Sequence, residues 1–223
     1  MRLHRVLWML MLSAVSLAVF AQADGVGIVE GNVRFDASRP QPAAIQYRTR
    51  TRTPILPADG ARAIVWLTRK DGVYPENVKS AEAQMRQEVV QDGYQFRPGM
   101  LAVQVGSAVM FPNHDDEFHS VFSYSQAKRF DLGRFRKDEE SPPVIFDQPG
   151  VVKIYCEIHR HMRSILLVLE SPWFTVTDEA GHFRLAAIPP GEYEVHAYLP
   201  NDQQSTKSLT VAAGATEQVE LGG

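Results

Sequence analysis

The stretch Val151–Glu170, VVKIYCEIHRHMRSILLVLE, decides how this chain reads. Its two apolar runs, Val151–Tyr155 and Ile165–Leu169, are short and β-branched or leucine-rich, the pattern of buried strands. The link between them carries Cys156, His159, His161 and Met162 within seven residues. A thiolate, an imidazole and a weak thioether form the donor set that suits copper cycling between two oxidation states. A second imidazole has to come from elsewhere, and Asn113-His114-Asp115-Asp116-Glu117-Phe118-His119 offers it.

The rest of the composition sets the frame. The chain has 223 residues, 44% of them hydrophobic, enough for one or two ordinary cores. Arg2 and Arg5 precede an apolar run from Val6 to Phe20, followed by Ala21-Gln22-Ala23. A basic start, a short apolar stretch and an A-x-A site describe a secretory signal peptide over residues 1–23. A spanning helix wants about 20 apolar residues and this run is shorter, so the mature chain is expected to be periplasmic with no membrane span. Cleavage leaves 21 basic and 26 acidic residues, a net charge of −5. That acidity argues against nucleic acid as a partner, because such binding needs a basic surface. In an oxidising compartment the single cysteine has no internal disulfide partner. A lone thiol there is buried and inert, joined to another molecule, or bound to a metal, and the neighbours of Cys156 favour the metal.

Along the chain, Val26–Phe35 alternates loosely and reads as a strand, and Ala63–Thr68 as a firm one. Ser38–Gly60, rich in Pro, Arg and Thr, reads as an exposed loop, its Arg48, Arg50 and Arg52 as solvated. Gln84–Val90 is expected as a strand, then Tyr94–Phe96, Met100–Val105, Ala108–Pro112 and His119–Tyr124. Lys128–Arg136 is mixed in character, and Val144–Phe146 precedes a turn signal at Asp147-Gln148-Pro149-Gly150. Beyond Ser171-Pro172 come strands at Trp173–Val176, His182–Leu185, Glu192–Tyr198 and Thr206–Ala212, with Val219–Leu221 as a further one. Strands at this spacing without a long helical pattern predict an all-β fold, a sandwich or barrel.

A lone Cys, Met or His in a β-rich core is ordinarily packing or a hydrogen-bonded residue. Four of them in one pattern point to a metal. Zinc is the rival, but structural zinc sites favour several cysteines and rarely use methionine. A Cys–His nucleophile pair lacks any sign of an orienting third residue. His114 and His161 read as non-ligands that stand close enough to replace a ligand or build a second, weaker site. Asp115, Asp116 and Glu117 read as a solvated turn that could steer a basic partner.

The C-x-x-H-x-x-M spacing of Cys156, His159 and Met162 resembles the ligand loop of amicyanin among the blue copper proteins, or cupredoxins. The match extends upstream. Phe96-x-Pro98-x-x-Leu101-x-Val103-x-x-Gly106, Val109-x-Phe111-x-Asn113 and His119-Ser120-Val121 are similar to the region before the first histidine ligand of plastocyanin and amicyanin. The resemblance, over about residues 84–170, implies a Greek-key cupredoxin sandwich. It also implies His119, Cys156 and His159 as strong copper ligands and Met162 as the weak axial one, one ion per chain. Asn113 becomes the residue whose backbone braces the sulfur. The loop departs from amicyanin in holding Glu157, Arg160 and His161 where amicyanin has prolines, and it puts charge beside the histidine ligand. More broadly the chain is similar to bacterial methylamine-utilisation proteins.

Thr177-Asp178-x-x-Gly181-x-Phe183-x-Leu185 and Ile188-Pro189-Pro190-Gly191-x-Tyr193-x-Val195 resemble the carboxypeptidase regulatory-like module, a small β-sandwich. Gly31–Phe35 and Ala63–Leu67 resemble its opening strands. Residues 24–74 are therefore expected to pair with 171–223, with a copper domain over 75–170 between them. Together these readings imply a periplasmic carrier of single electrons between redox protein partners. The alternatives are a copper enzyme or sensor with an open coordination position, a copper-delivery protein, and an envelope-binding module.

Overall fold

The computed structural model describes residues 25–35, 58–75, 86–139, 141–200 and 202–222. The signal-peptide reading, the Arg48–Arg52 run and residues 84–85 lie outside them. Every regular element among the described residues is a strand, and no helix there is long and apolar enough to cross a membrane. In chain order the strands are β1 (Gly27–Val33), β2 (Ile64–Arg69), β3 (Gln87–Glu88), β4 (Val90–Gln91), β5 (Phe96–Arg97), β6 (Met100–Gln104), β7 (Ser107–Met110), β8 (His119–Tyr124) and β9 (Arg129–Phe135). They continue as β10 (Val144–Phe146), β11 (Gly150–Tyr155), β12 (Arg163–Leu169), β13 (Phe174–Val176), β14 (His182–Ile188), β15 (Gly191–Tyr198), β16 (Gln204–Val211) and β17 (Thr216–Leu221).

Two sandwiches result. In the first, a sheet ordered β10-β7-β3 faces a sheet ordered β6-β12-β11-β8-β9, and Phe111, Phe146, Ile154 and Leu166 fill the space between. In the second, β14-β1-β17 faces β13-β2-β15-β16 around Val29, Leu67, Phe183 and Val195. Strands from both ends of the chain build this second unit: β1 pairs antiparallel with β14 and parallel with β17, and β2 pairs with β13 and β15.

The unbroken apolar run of β12 has a direct cause. Leu166 and Val168 face the core of the first sandwich, while Ile165, Leu167 and Leu169 face a separate cluster with Ile64, Phe174 and Tyr198 of the second. A strand buried on both faces loses the polar half of its alternation. The same holds for β2, where Val65 and Leu67 point into their own sandwich and Ile64 and Trp66 point across. Burying a leucine such as Leu167 is worth about 2 kcal/mol, so these side chains weld the sandwiches through β12 and β2.

Three local readings are revised. The strand expected at Gln84–Val90 divides among the described residues: Gln87 pairs in parallel with Val109 of β7, whereas Val90 pairs antiparallel with Arg97 of β5. The mixed stretch Lys128–Arg136 is an edge strand, β9, with Phe130 and Leu132 half-buried between exposed Arg129 and Asp131. Gly133, at φ 75°, interrupts that alternation and hides it in the sequence. Finally, Tyr94 is not in a strand. Gly93 and Tyr94 have φ of 63° and 60° and form the tip of a two-residue hairpin between β4 and β5. Positive φ at both central positions is the type I′ requirement. Glycine meets it freely, while a tyrosine needs outside support.

Candidate metal centre

Period-2 alternation aims the donors. On β11, Val152 and Ile154 point into the sandwich, and Cys156, next in that phase just past the strand end, follows them inward at 3% exposure. On the neighbouring β8, His119, Val121 and Ser123 share the inward phase. Tyr155 sits opposite Phe122, so the strand pairing brings Cys156 alongside the start of β8. The chain then turns back: the amide of Met162 donates to the carbonyl of His159 at 2.9 Å, and the amide of His159 donates to the cysteine sulfur at 3.5 Å.

His119, Cys156 and His159 meet, all buried. Their Nδ1 atoms are 2.9 Å apart, and each lies 3.9 Å from the sulfur of Cys156. In a triangle of those sides the point equidistant from the three atoms is about 2.1 Å from each. That falls within the ~2.0–2.3 Å of imidazole and thiolate bonds to a first-row metal such as zinc. The residues therefore fit an ion. Two imidazoles and a thiolate are a donor set that suits a mononuclear copper centre. Met162 is fully buried in the same apolar cluster as Cys156.

The remaining candidates stand elsewhere. His114 is exposed. His161 is half-buried, and its Nε2 is 3.0 Å from the carbonyl of Tyr94. Neither belongs to the buried group. Asn113 is fully buried. Its side-chain amide donates to the carbonyls of Glu117 and Phe135, and its side-chain oxygen accepts from the amide of Asp115. The sulfur meets the backbone of Ser120 and His159, and the Ser120 hydroxyl, 4.0 Å from the sulfur, accepts from the amide of Glu157 at 2.8 Å.

Asp115 overturns the reading of a solvated turn. It is completely buried; its Oδ1 accepts from the amide of Gly93 at 2.7 Å and its Oδ2 from that of Tyr94 at 2.8 Å. Oδ2 is also 2.8 Å from Nε2 of His119. These two amides belong to the strained hairpin tip, so the carboxylate is the outside support that Tyr94 needs. The Tyr94 ring then stands edge-on to His119 and His159, at centroid distances of 5.6 and 5.0 Å. Alternation missed both residues; the available signal was Asn113-x-Asp115, an Asx turn that folds the acid back on the chain. Asp116 is exposed and pairs with Lys137 at 2.7 Å.

The electrostatics follow from this packing. Burial works against a thiolate at Cys156, but hydrogen bonds from His119 and His159 and from the backbone of Ser120 and His159 outweigh it, and the pKa falls to about 5. Burial likewise opposes an imidazolium at His119, yet Asp115 and Cys156 raise its pKa. Asp115 is lowered despite burial by His119 and the Tyr94 and Gly93 amides. Metal ligands must be deprotonated, so a pH series of copper affinity has a fixed sign. Affinity should begin to fall where His119, raised above its ordinary value by Asp115 and Cys156, takes up a proton, and should fall more steeply below about pH 5, where the thiolate takes up one as well. Competition titrations with a chelator across that range measure it, and a flat profile would contradict the thiolate.

No family model and no curated protein match the chain. Solved structures do. A Cu-containing nitrite reductase (NirK) from Thermus scotoductus SA-01 is 26% identical over 39% of this chain and 23% of its own, with a TM-score of 0.36. The chain thus spans about a quarter of that enzyme's length. A mutant of amicyanin in its oxidised state is 17% identical over 48% of this chain and 98% of its own, at TM-score 0.36. Another amicyanin mutant, in its Cu(I) form, is 18% identical over 44% and 97%, at 0.35. The chain's own features set what can be said of its class: strands β3–β12 form a β-sandwich whose buried His119, Cys156 and His159 can hold a metal ion.

Proposed function

We infer that the protein is an exported, periplasmic copper protein that passes single electrons between redox protein partners. In this reading His119, Cys156 and His159 would hold the ion strongly, and Met162 would add a weak thioether donor. The observation that carries it is the closed triangle: three donor atoms at 2.9, 3.9 and 3.9 Å on residues no more than 6% exposed. A bound copper supplies the chemistry by alternating between Cu(II) and Cu(I).

The chain's own residues do the rest. Strands β8 and β11 and the short 156–162 loop hold the donor atoms in place, so little moves when the charge on the ion changes. Burial by Tyr94 and the sandwich core keeps water and small substrates away, which favours a carrier over an enzyme or sensor with an open position. His159, 6% exposed, is the ligand nearest solvent, and exposed Glu157 and Arg160 flank it. That charged rim supports a partner protein with complementary charge. The copper-loaded protein should show a reversible one-electron wave in voltammetry. Its electron paramagnetic resonance spectrum should not change on adding azide, and a spectrum remodelled by azide would favour the open-site enzyme instead.

A further inference from the structure

We propose that Asp115 is a positioning residue of the metal centre: its buried carboxylate fixes His119 with Nδ1 turned toward the ion and biases the ion toward its higher oxidation state. The proposal rests on the reading of His119 as a ligand. It concerns a residue that the ligand pattern itself does not contain.

The geometry is complete on all sides. Asp115 and His119 are both fully buried, and Oδ2 lies 2.8 Å from Nε2. Imidazole has two nitrogens, and which one carries the proton is set by the hydrogen bond the other ring atom makes. A carboxylate at Nε2 accepts, so Nε2 is the donor and Nδ1 presents its lone pair to the triangle. The carboxylate cannot swing away. The amides of Gly93 and Tyr94 hold it from one side, and its own amide is bound to the side chain of Asn113 at 2.9 Å. Asn113 is in turn anchored to the carbonyls of Glu117 and Phe135.

The charge of Asp115 acts on the site apart from that geometry. With the thiolate of Cys156, Asp115 places a second negative charge in a site shielded from water, where charges interact strongly. Attraction to the ion grows with the ion's charge, so Cu(II) gains more than Cu(I). When an electron arrives from a partner protein, the doubly negative site passes from neutral to net negative. The reduced form is thereby disfavoured and the reduction potential lowered.

The test uses copper-loaded full-length protein and its Asp115→Asn variant. The variant should lose about tenfold in its preference for Cu(II) over Cu(I), a rise in potential of about 59 mV for one electron, while keeping its visible band. In the Cu(I)-loaded wild type, the His119 Nε2 proton should resonate downfield and exchange slowly by nuclear magnetic resonance, and the variant should lose that signature. An unchanged potential in a folded variant overturns the proposal. If the variant does not fold, the wild-type proton decides alone: ordinary shift and fast exchange overturn it. A wild type that takes up no copper sinks the ligand reading instead, which separates the two failures.

Discussion

Replacing Cys156 with alanine is expected to abolish the intense visible thiolate-to-copper absorption outright while leaving the protein folded. No other residue in the chain can supply a thiolate, because Cys156 is its only cysteine. Its sulfur is the apex of the donor triangle, 3.9 Å from both Nδ1 atoms. The change removes one buried heavy atom and should cost about 1 kcal/mol of stability at most, a transfer and cavity cost close to that of a single methylene. Titrating the variant with Cu(II) and recording its thermal melt separates the two effects. A retained band would place the copper on other ligands.

The second large effect lies far from the metal. Gly31→Ala should destabilise the protein by about 3 kcal/mol, because Gly31 is in the middle of β1, itself the central strand of its sheet. A Cβ there would stand 1.7 Å from the carbonyl oxygen of Val219 and 2.7 Å from its carbonyl carbon. Both contacts are backbone, so no side chain can give way. Gly31 is opposite Val219 of β17 on one side and Phe183 of β14 on the other, and moving it breaks the pairing that joins the two ends of the chain. Denaturant unfolding measures the cost. A loss under about 0.5 kcal/mol would show that β1 is not locked as described.

These two positions differ in how openly the sequence announced them. Cys156 declared itself through spacing. A cysteine ending an apolar run, with histidine and methionine at fixed intervals after it, is a one-dimensional pattern, and the structure brings His119 and His159 to its sulfur. The runs of β12 and β2 were legible because strands buried on both faces become continuously apolar.

Asp115 was illegible for the opposite reason. Flanked by His114, Asp116 and Glu117, it looks solvated, and its burial depends on amides 21 and 22 residues away. Hydropathy cannot register a hydrogen bond of that range. Tyr94 was misplaced by the same blindness: its alternation with Phe96 suggests a strand, while its backbone is held in a turn by a carboxylate on another segment. The backbone of Ser120 and His159 beside the sulfur was likewise not singled out by spacing. Sequence pattern thus named His119, Cys156 and His159, which the fold brings together, and only the fold located what holds them.

The most direct measurement is a titration of the purified, metal-free protein with Cu(II), followed in the visible. The account predicts an intense band that grows linearly and stops at one copper per chain. Protein that stays colourless and takes up no copper would contradict it.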